Sequence, residues 1–63
     1  MTQKELFYLE DAIGHITNII SICNESVKML TDDELLSFIQ NEITKHKEIK
    51  QKLMNLLEAK SNG

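Results

Sequence analysis

The apolar residues in the first half of the chain recur at alternating intervals of three and four. This spacing, kept over four heptads, is typical of a helix whose apolar stripe packs against another helix. The stripe consists of Leu6, Leu9, Ile13, Ile16, Ile20, Cys23, Val27 and Leu30. A second apolar row, interrupted by His15 and Ser26, runs beside it through Tyr8, Ala12, Ile19, Ile22 and Met29. A helix with two adjacent rows needs more than one neighbour, which a four-helix bundle provides.

The second half of the chain has a helical pattern of its own. Its apolar stripe is Leu35, Leu36, Ile39, Ile43, Ile49, Leu53, Leu56 and Leu57, with Phe38 beside it. Thr31 and Glu34 have the spacing of a capping box, and Asp32 and Asp33 add negative charge at the positive end of the helix dipole. We therefore expect one helix at about 3–30, a turn at about 30–32, a second helix at about 32–60 and a helix exit at 61–63.

These elements predict an all-α fold, an antiparallel two-helix hairpin that forms one domain over residues 1–63. A chain of 63 residues buries too little apolar surface to offset the entropy of ordering it without a disulfide, a metal or a partner. The single Cys23 cannot form an internal disulfide. We therefore expect the hairpin to form a homodimer, with the four helices of two copies making a bundle.

Composition and charge exclude several function classes. The net charge is −3, and all seven basic residues are Lys, which disfavours nucleic-acid binding because no basic face is formed. The sequence lacks a signal peptide and an apolar run of about 20 residues, so we expect a cytoplasmic protein without membrane contact. The absence of a glycine-rich phosphate loop and of a nucleophile motif favours a non-enzymatic role.

The two histidines of the chain form the one arrangement with candidate chemistry. Asp11 precedes His15 by four residues, and Glu42 precedes His46 by four. A reversal near residue 31 places the histidines at the same height on the two helices. Imidazole and carboxylate groups are ligands for Zn, Fe or Mn, so these four residues are a candidate metal site at the dimer core. Di-iron bundles, however, space Glu and His by three residues on one helix.

Two other interpretations of the histidines stay open. A histidine within an apolar stripe is often a part-buried side chain that hydrogen-bonds a carboxylate or a carbonyl, and such polar layers set the register or oligomeric state of helical assemblies. The alternative is that both histidines lie on the surface. The polar layer is the favoured interpretation, and in that case the chain needs no cofactor.

The chain also resembles a known family over most of its length. The residues concerned are Lys4-Glu5-Leu6, Leu9 to His15, Asp33-Glu34-Leu35, Phe38-Ile39-Gln40, Lys45-His46 and the closing leucines. They are similar to the short ferritin-like, spore coat F-type proteins of clostridia and related spore formers. The resemblance implies helical hairpins that assemble into four-helix bundles with a structural, spore-associated role. The family pattern has an acid after the histidine, where this chain has Ile16.

A second family is excluded by one residue. Asp33-Glu34-Leu35 is similar to part of the Ser-x-Glu-Leu-Asp motif of small helical-hairpin phosphatases that act on aspartyl-phosphate in sporulation signalling. Leu36 stands where the functional Asp of that motif belongs. Without that side chain the motif carries no mechanism.

The sequence thus predicts a structural or protein-interaction module that self-associates as a helical bundle. The alternative function is a metal-binding ferritin-like bundle that uses Asp11, His15, Glu42 and His46. A third is an adaptor whose second apolar row receives a helix of another protein.

Overall fold

The computed structural model describes residues 1–61 and shows two helices packed side by side. Helix α1 spans Gln3–Met29 and helix α2 spans Asp33–Ser61. The three-residue connection between them reverses the chain, and the described part contains no strand. The resulting rod has principal dimensions of 46 × 15 × 11 Å. The all-helical hairpin is therefore confirmed. Of the exit predicted at 61–63, Ser61 is still helical, and residues 62–63 lie outside the described part.

The start of α1 is fixed by a capping box that the sequence analysis did not identify. The Thr2 hydroxyl accepts the Glu5 backbone N–H at 3.1 Å, and the Glu5 carboxylate accepts the Thr2 backbone N–H at 2.8 Å. Two N–H groups that the helix start leaves without intrahelical partners are thereby paired.

The capping box predicted for the second helix at Thr31 and Glu34 is wrong by one residue. The Asp32 carboxylate accepts the Leu35 backbone N–H at 2.9 Å, and the Asp32 carbonyl accepts the Leu36 N–H. These two bonds place Asp32 at the N-cap position. The residue three positions later is Leu35, which has no side-chain acceptor, so the cap lacks the reciprocal bond of a capping box.

The predicted stripe of α1 faces α2. All eight of its residues, from Leu6 to Leu30, are half-buried. In a heptad repeat lettered a to g these residues occupy positions a and d, the inward positions of a helix pair.

The stripe of α2 differs from its prediction, because three expected residues lie outside it and Lys50 lies within it. The inward residues are Leu36, Ile39, Ile43, His46, Lys50, Leu53 and Leu57, again spaced as heptad positions a and d. Leu35, Ile49 and Leu56, which were expected in this stripe, are 46–52% exposed. Each lies one residue before an a position, which turns its side chain about 100° away from α1.

The interior of the hairpin is small. Ile43, at 8% exposure, is the single buried residue of the described part. Two helices touch along one line only, so the remaining seam residues keep contact with water on their flanks. The hairpin alone therefore has little core to stabilise it.

Candidate functional site

The exposed apolar residues gather on one side of the hairpin because of their heptad positions. In an antiparallel helix pair, the g positions of both helices flank the seam on one side, and the e positions flank it on the other. The c positions lie beyond g, and the b positions lie beyond e. The surface formed by positions c and g of both helices is called the open face below.

The open face is continuous along the rod. From α1 it contains Tyr8, Ala12, His15, Ile19, Ile22, Ser26 and Met29. From α2 it contains Leu35, Phe38, Glu42, Lys45, Ile49, Lys52 and Leu56. Glu5 and Leu56, both at g positions, line the same shallow cavity at the end of the rod away from the turn. The two helices thus contribute to one surface there.

Large apolar side chains dominate this face. The described part has eleven large hydrophobic residues that are strongly exposed. Eight of them lie on the open face, among them Ile22 at 64%, Phe38 at 60% and Met29 at 81% exposure. Large exposed apolar patches on soluble proteins commonly mark interaction sites, which makes this face the candidate one.

The opposite side of the hairpin has a different character. Two of the remaining exposed hydrophobics, Phe7 and Met54, lie there, and the third, Met1, precedes α1. Their neighbours at positions b and e are Glu10, Gly14, Thr17, Ser21, Asn24 and Lys28 on α1 and Ser37, Gln40, Thr44, Lys47, Gln51 and Glu58 on α2. The apolar surface is therefore one-sided.

Near mid-length, the open face contains a group of charged side chains. The Glu42 carboxylate is 3.6 Å from the Lys45 ammonium and 4.0 Å from Nδ1 of His46. The side chain of Glu42 is 28% exposed and that of Lys45 is 69% exposed. Glu42 thus stands at the edge of the seam with a basic group on either side of it.

His46 is held in the seam by its own helix. Its Nδ1 lies 2.7 Å from the backbone carbonyl of Glu42. A carbonyl only accepts hydrogen bonds, so Nδ1 carries the proton and donates. In the neutral ring Nε2 then has the free lone pair. This is the arrangement expected for a polar residue satisfied within an apolar stripe, and it also leaves Nε2 able to bind a ligand.

The other two predicted site residues lie elsewhere. His15 is exposed on the open face, whereas His46 is half-buried in the seam. Asp11 is exposed at an f position, the side of α1 that points away from α2. Within residues 1–61, no three His, Cys, Asp or Glu side chains come together as a group able to hold a metal ion. One hairpin therefore brings together only the Glu42 and His46 pair.

The sequence analysis gave no position on the hairpin to three lysines of α2. Lys45 and Lys52 are exposed, and their c positions put them on the open face. Lys50 occupies an inward position and is half-buried, with Ile20 beside it in a groove. A heptad register counted from Ile39 and Ile43 gives all three positions and would have found them.

Neither helix, over the described residues, has a segment long and apolar enough to cross a membrane. Comparisons of the chain with protein-family models, curated proteins and solved structures found no match.

Proposed function

We propose that the chain is a non-enzymatic structural or protein-interaction module whose open face binds a second copy of itself, so that two hairpins form a four-helix bundle. The observation that carries this proposal is the contrast between the interior and the surface. Among the described residues Ile43 alone is buried, while eight large hydrophobic side chains on one face are exposed. The spore coat F-type resemblance agrees with such a role and makes spore association part of the proposal.

The energetics of a small chain support self-association. Each large apolar side chain that moves from water into an interface contributes about 1.5–3 kcal/mol. The residues of the open face offer no such gain to the isolated hairpin. Pairing two open faces would bury them and give each helix the second neighbour that its two apolar rows require.

The dimensions of the face fit a dimer. A surface of 46 by 15 Å covers roughly 700 Å². A standard protein interface buries about 800 Å² on each partner. A second copy has an open face of the same size. A symmetric pair of hairpins can therefore cover both faces along their whole length.

Sedimentation equilibrium at several chain concentrations tests the proposal. The expected result is a mass of twice 7.3 kDa that falls toward the monomer on dilution, with a Tm that rises with concentration. A folded monomer with a concentration-independent Tm would refute self-association. A monomer that forms a stoichiometric complex with a helix of another protein would favour the adaptor instead.

A metal-binding ferritin-like bundle is the second candidate, and the hydrogen bond of His46 favours it. With Nδ1 donating to a carbonyl, Nε2 is oriented as metal-ligating histidines commonly are. One hairpin supplies too few donors, so the site would need Glu42 and His46 from two copies, with His15 and Asp11 supplying further ligands only after rearrangement.

Thermal melts with added Zn, Fe or Mn test the second candidate. A site that binds only the folded state must raise Tm, and His46→Gln must abolish that rise. An unchanged Tm with all three ions, together with a metal-free elemental analysis of the purified protein, would eliminate the metal candidate.

A further inference from the structure

We propose that the two hairpins associate end for end, with their turns at opposite ends of the bundle, and that Glu42 of each copy pairs with Lys52 of the other. This inference rests on the proposed self-association through the open face. It adds the orientation of the partner and names the charged pair that selects it.

The charged residues Glu42 and Lys52 lie symmetrically about the middle of α2. Lys47 is the middle residue of Asp33–Ser61. Glu42 and Lys52 lie five residues to either side of it, at g and c positions of the open face. Each is therefore about 7.5 Å from the middle along the axis, at 1.5 Å per residue.

Turning a second copy end for end brings these two residues together. The two-fold axis then crosses the middle of the rod, and each α2 lies antiparallel to the partner's α2. Glu42 comes level with the partner's Lys52, and the reciprocal pair forms on the other side of the axis. By the same symmetry Phe38 comes level with the partner's Leu56. Of the pairs that this symmetry forms along α2, these two match in charge or in apolarity, whereas Lys45 comes level with the partner's Ile49.

The other symmetric arrangement, with both turns at the same end, lacks this complementarity. There α2 of one copy covers α1 of the other, and the open face of α1 carries no Lys that could pair with Glu42. A half-buried carboxylate would then lose water without gaining an opposite charge from the partner, which is unfavourable.

Charge at the ends of the rod favours the same orientation. Residues 25–38, which include the turn, carry Glu25, Asp32, Asp33 and Glu34 against Lys28, a net charge of −3. The whole chain also has a net charge of −3, so the rest of it is neutral in sum. Turns at the same end would place two such acidic regions side by side, whereas an end-for-end pair separates them by the length of the rod.

Charge reversal tests the pair. Glu42→Lys alone and Lys52→Glu alone each place like charges opposite one another twice per dimer, so each should raise the Kd of the dimer about tenfold. The double variant Glu42→Lys/Lys52→Glu restores opposite charges across the interface, and its Kd should return to within about threefold of wild type. Sedimentation at moderate salt measures all four proteins.

A matched control separates the intermolecular pair from changes within the helix. Glu48 lies at an f position, away from the open face. Glu48→Lys/Lys52→Glu has the same composition as the test double variant, but it should keep the high Kd of Lys52→Glu. Rescue by the test double variant also cannot come from Lys45 and His46, because Lys at position 42 still faces both of them within its own helix.

Spin labels give an independent measure of orientation. With Cys23→Ala to remove the native thiol, a label on Thr31→Cys marks the turn of each copy. The end-for-end dimer predicts a separation near the 46 Å length of the rod. A separation below about 20 Å, the reach of adjacent helix pairs, would overturn the inference. The inference would also be overturned if the wild-type protein dimerises but the double charge-reversal variant has a Kd no lower than those of the single variants. A monomeric wild-type protein would instead refute the proposed self-association itself.

Discussion

His46 donates its Nδ1–H to the backbone carbonyl of Glu42, one helical turn earlier, at 2.7 Å. This bond pairs one of the two ring nitrogens of His46, which occupies an inward position where an apolar residue is usual. The Glu42 carbonyl is also within the helix ladder, so it needs no second donor. The ring can therefore be replaced without leaving a buried polar group unpaired.

His46→Leu tests what this histidine contributes. Leucine fills the seam between Ile43 and Lys50, and we expect the free energy of unfolding to rise by about 1 kcal/mol because apolar area is buried. If His46 sets the register of the assembly, the variant should also populate additional oligomers, as happens when a polar layer is removed from a helical bundle. Urea unfolding at fixed chain concentration measures the first effect, and light scattering measures the second. A less stable variant of unchanged mass would contradict both expectations.

The sequence predicted the seam of α1 residue by residue, but not that of α2. In α1 the a and d positions are all apolar or Cys, so the spacing is unambiguous. In α2 two inward positions hold His46 and Lys50, and the apolar Ile49 stands one position before Lys50. Assigning Ile49 to the seam follows the apolarity of that residue, but it conflicts with the heptad spacing of the other inward residues. A lysine occupies an inward position because its aliphatic stem covers the seam while its ammonium reaches water.

At the start of α2, two adjacent residues are likewise both candidates for one position, the N-cap. Thr31 and Asp32 are both good N-cap residues, and the Glu34 spacing favoured Thr31. The structure places the cap at Asp32, where the carboxylate accepts the Leu35 N–H. The proposed orientation of a second hairpin likewise could not be derived from the sequence pattern, because its argument uses the bounds of α2.

Substitution at the cap distinguishes the two residues. Asp32→Ala should lower the free energy of unfolding by about 1 kcal/mol, because an N–H group at the helix start loses its acceptor. Asp32→Asn retains an acceptor and should stay close to wild type. Thr31→Ala is the matched control, and it should change stability by less than about 0.5 kcal/mol. If Thr31→Ala proves the more damaging of the two alanine substitutions, the cap lies at Thr31 after all.

The capping box of α1 predicts a pH dependence. The pKa of the Glu5 carboxyl is lowered, first because it accepts the Thr2 backbone N–H and second through the Thr2 side chain. A carboxyl whose pKa is lower in the folded state stabilises the fold above its unfolded pKa, and this contribution is lost as the pH falls through the folded pKa. We therefore expect the wild-type protein to lose more stability between about pH 5 and pH 3 than Glu5→Gln, which keeps an uncharged acceptor. Denaturant titrations of both proteins across this range measure the difference, and parallel curves would contradict the prediction.

Gly14 lies in the middle of α1, and a Cβ built there meets nothing within 4 Å. Gly14→Ala should therefore raise the free energy of unfolding by about 1 kcal/mol, since alanine has the higher helix propensity. Gly14 occupies a b position, away from the open face, so the Kd of the proposed dimer should stay unchanged. A weaker dimer in this variant would place the interface on the other side of the hairpin.

Two matched substitutions locate the interface directly. Ile22 on the open face and Phe7 on the opposite side are exposed by 64% and 53%. Because both side chains are already largely in water, replacing either with Glu should change the helix content of a single hairpin very little. In the proposed dimer, Ile22→Glu would remove two buried apolar side chains and introduce two charges, so the Kd should rise about 100-fold or more. Phe7→Glu carries the same charge on the side that remains in water, and its Kd should stay within about threefold of wild type.

Sedimentation of the two variants beside the wild-type protein gives the comparison. Equal effects would mean that association does not depend on the open face, and a stronger effect of Phe7→Glu would assign the interface to the side that carries Phe7 and Met54.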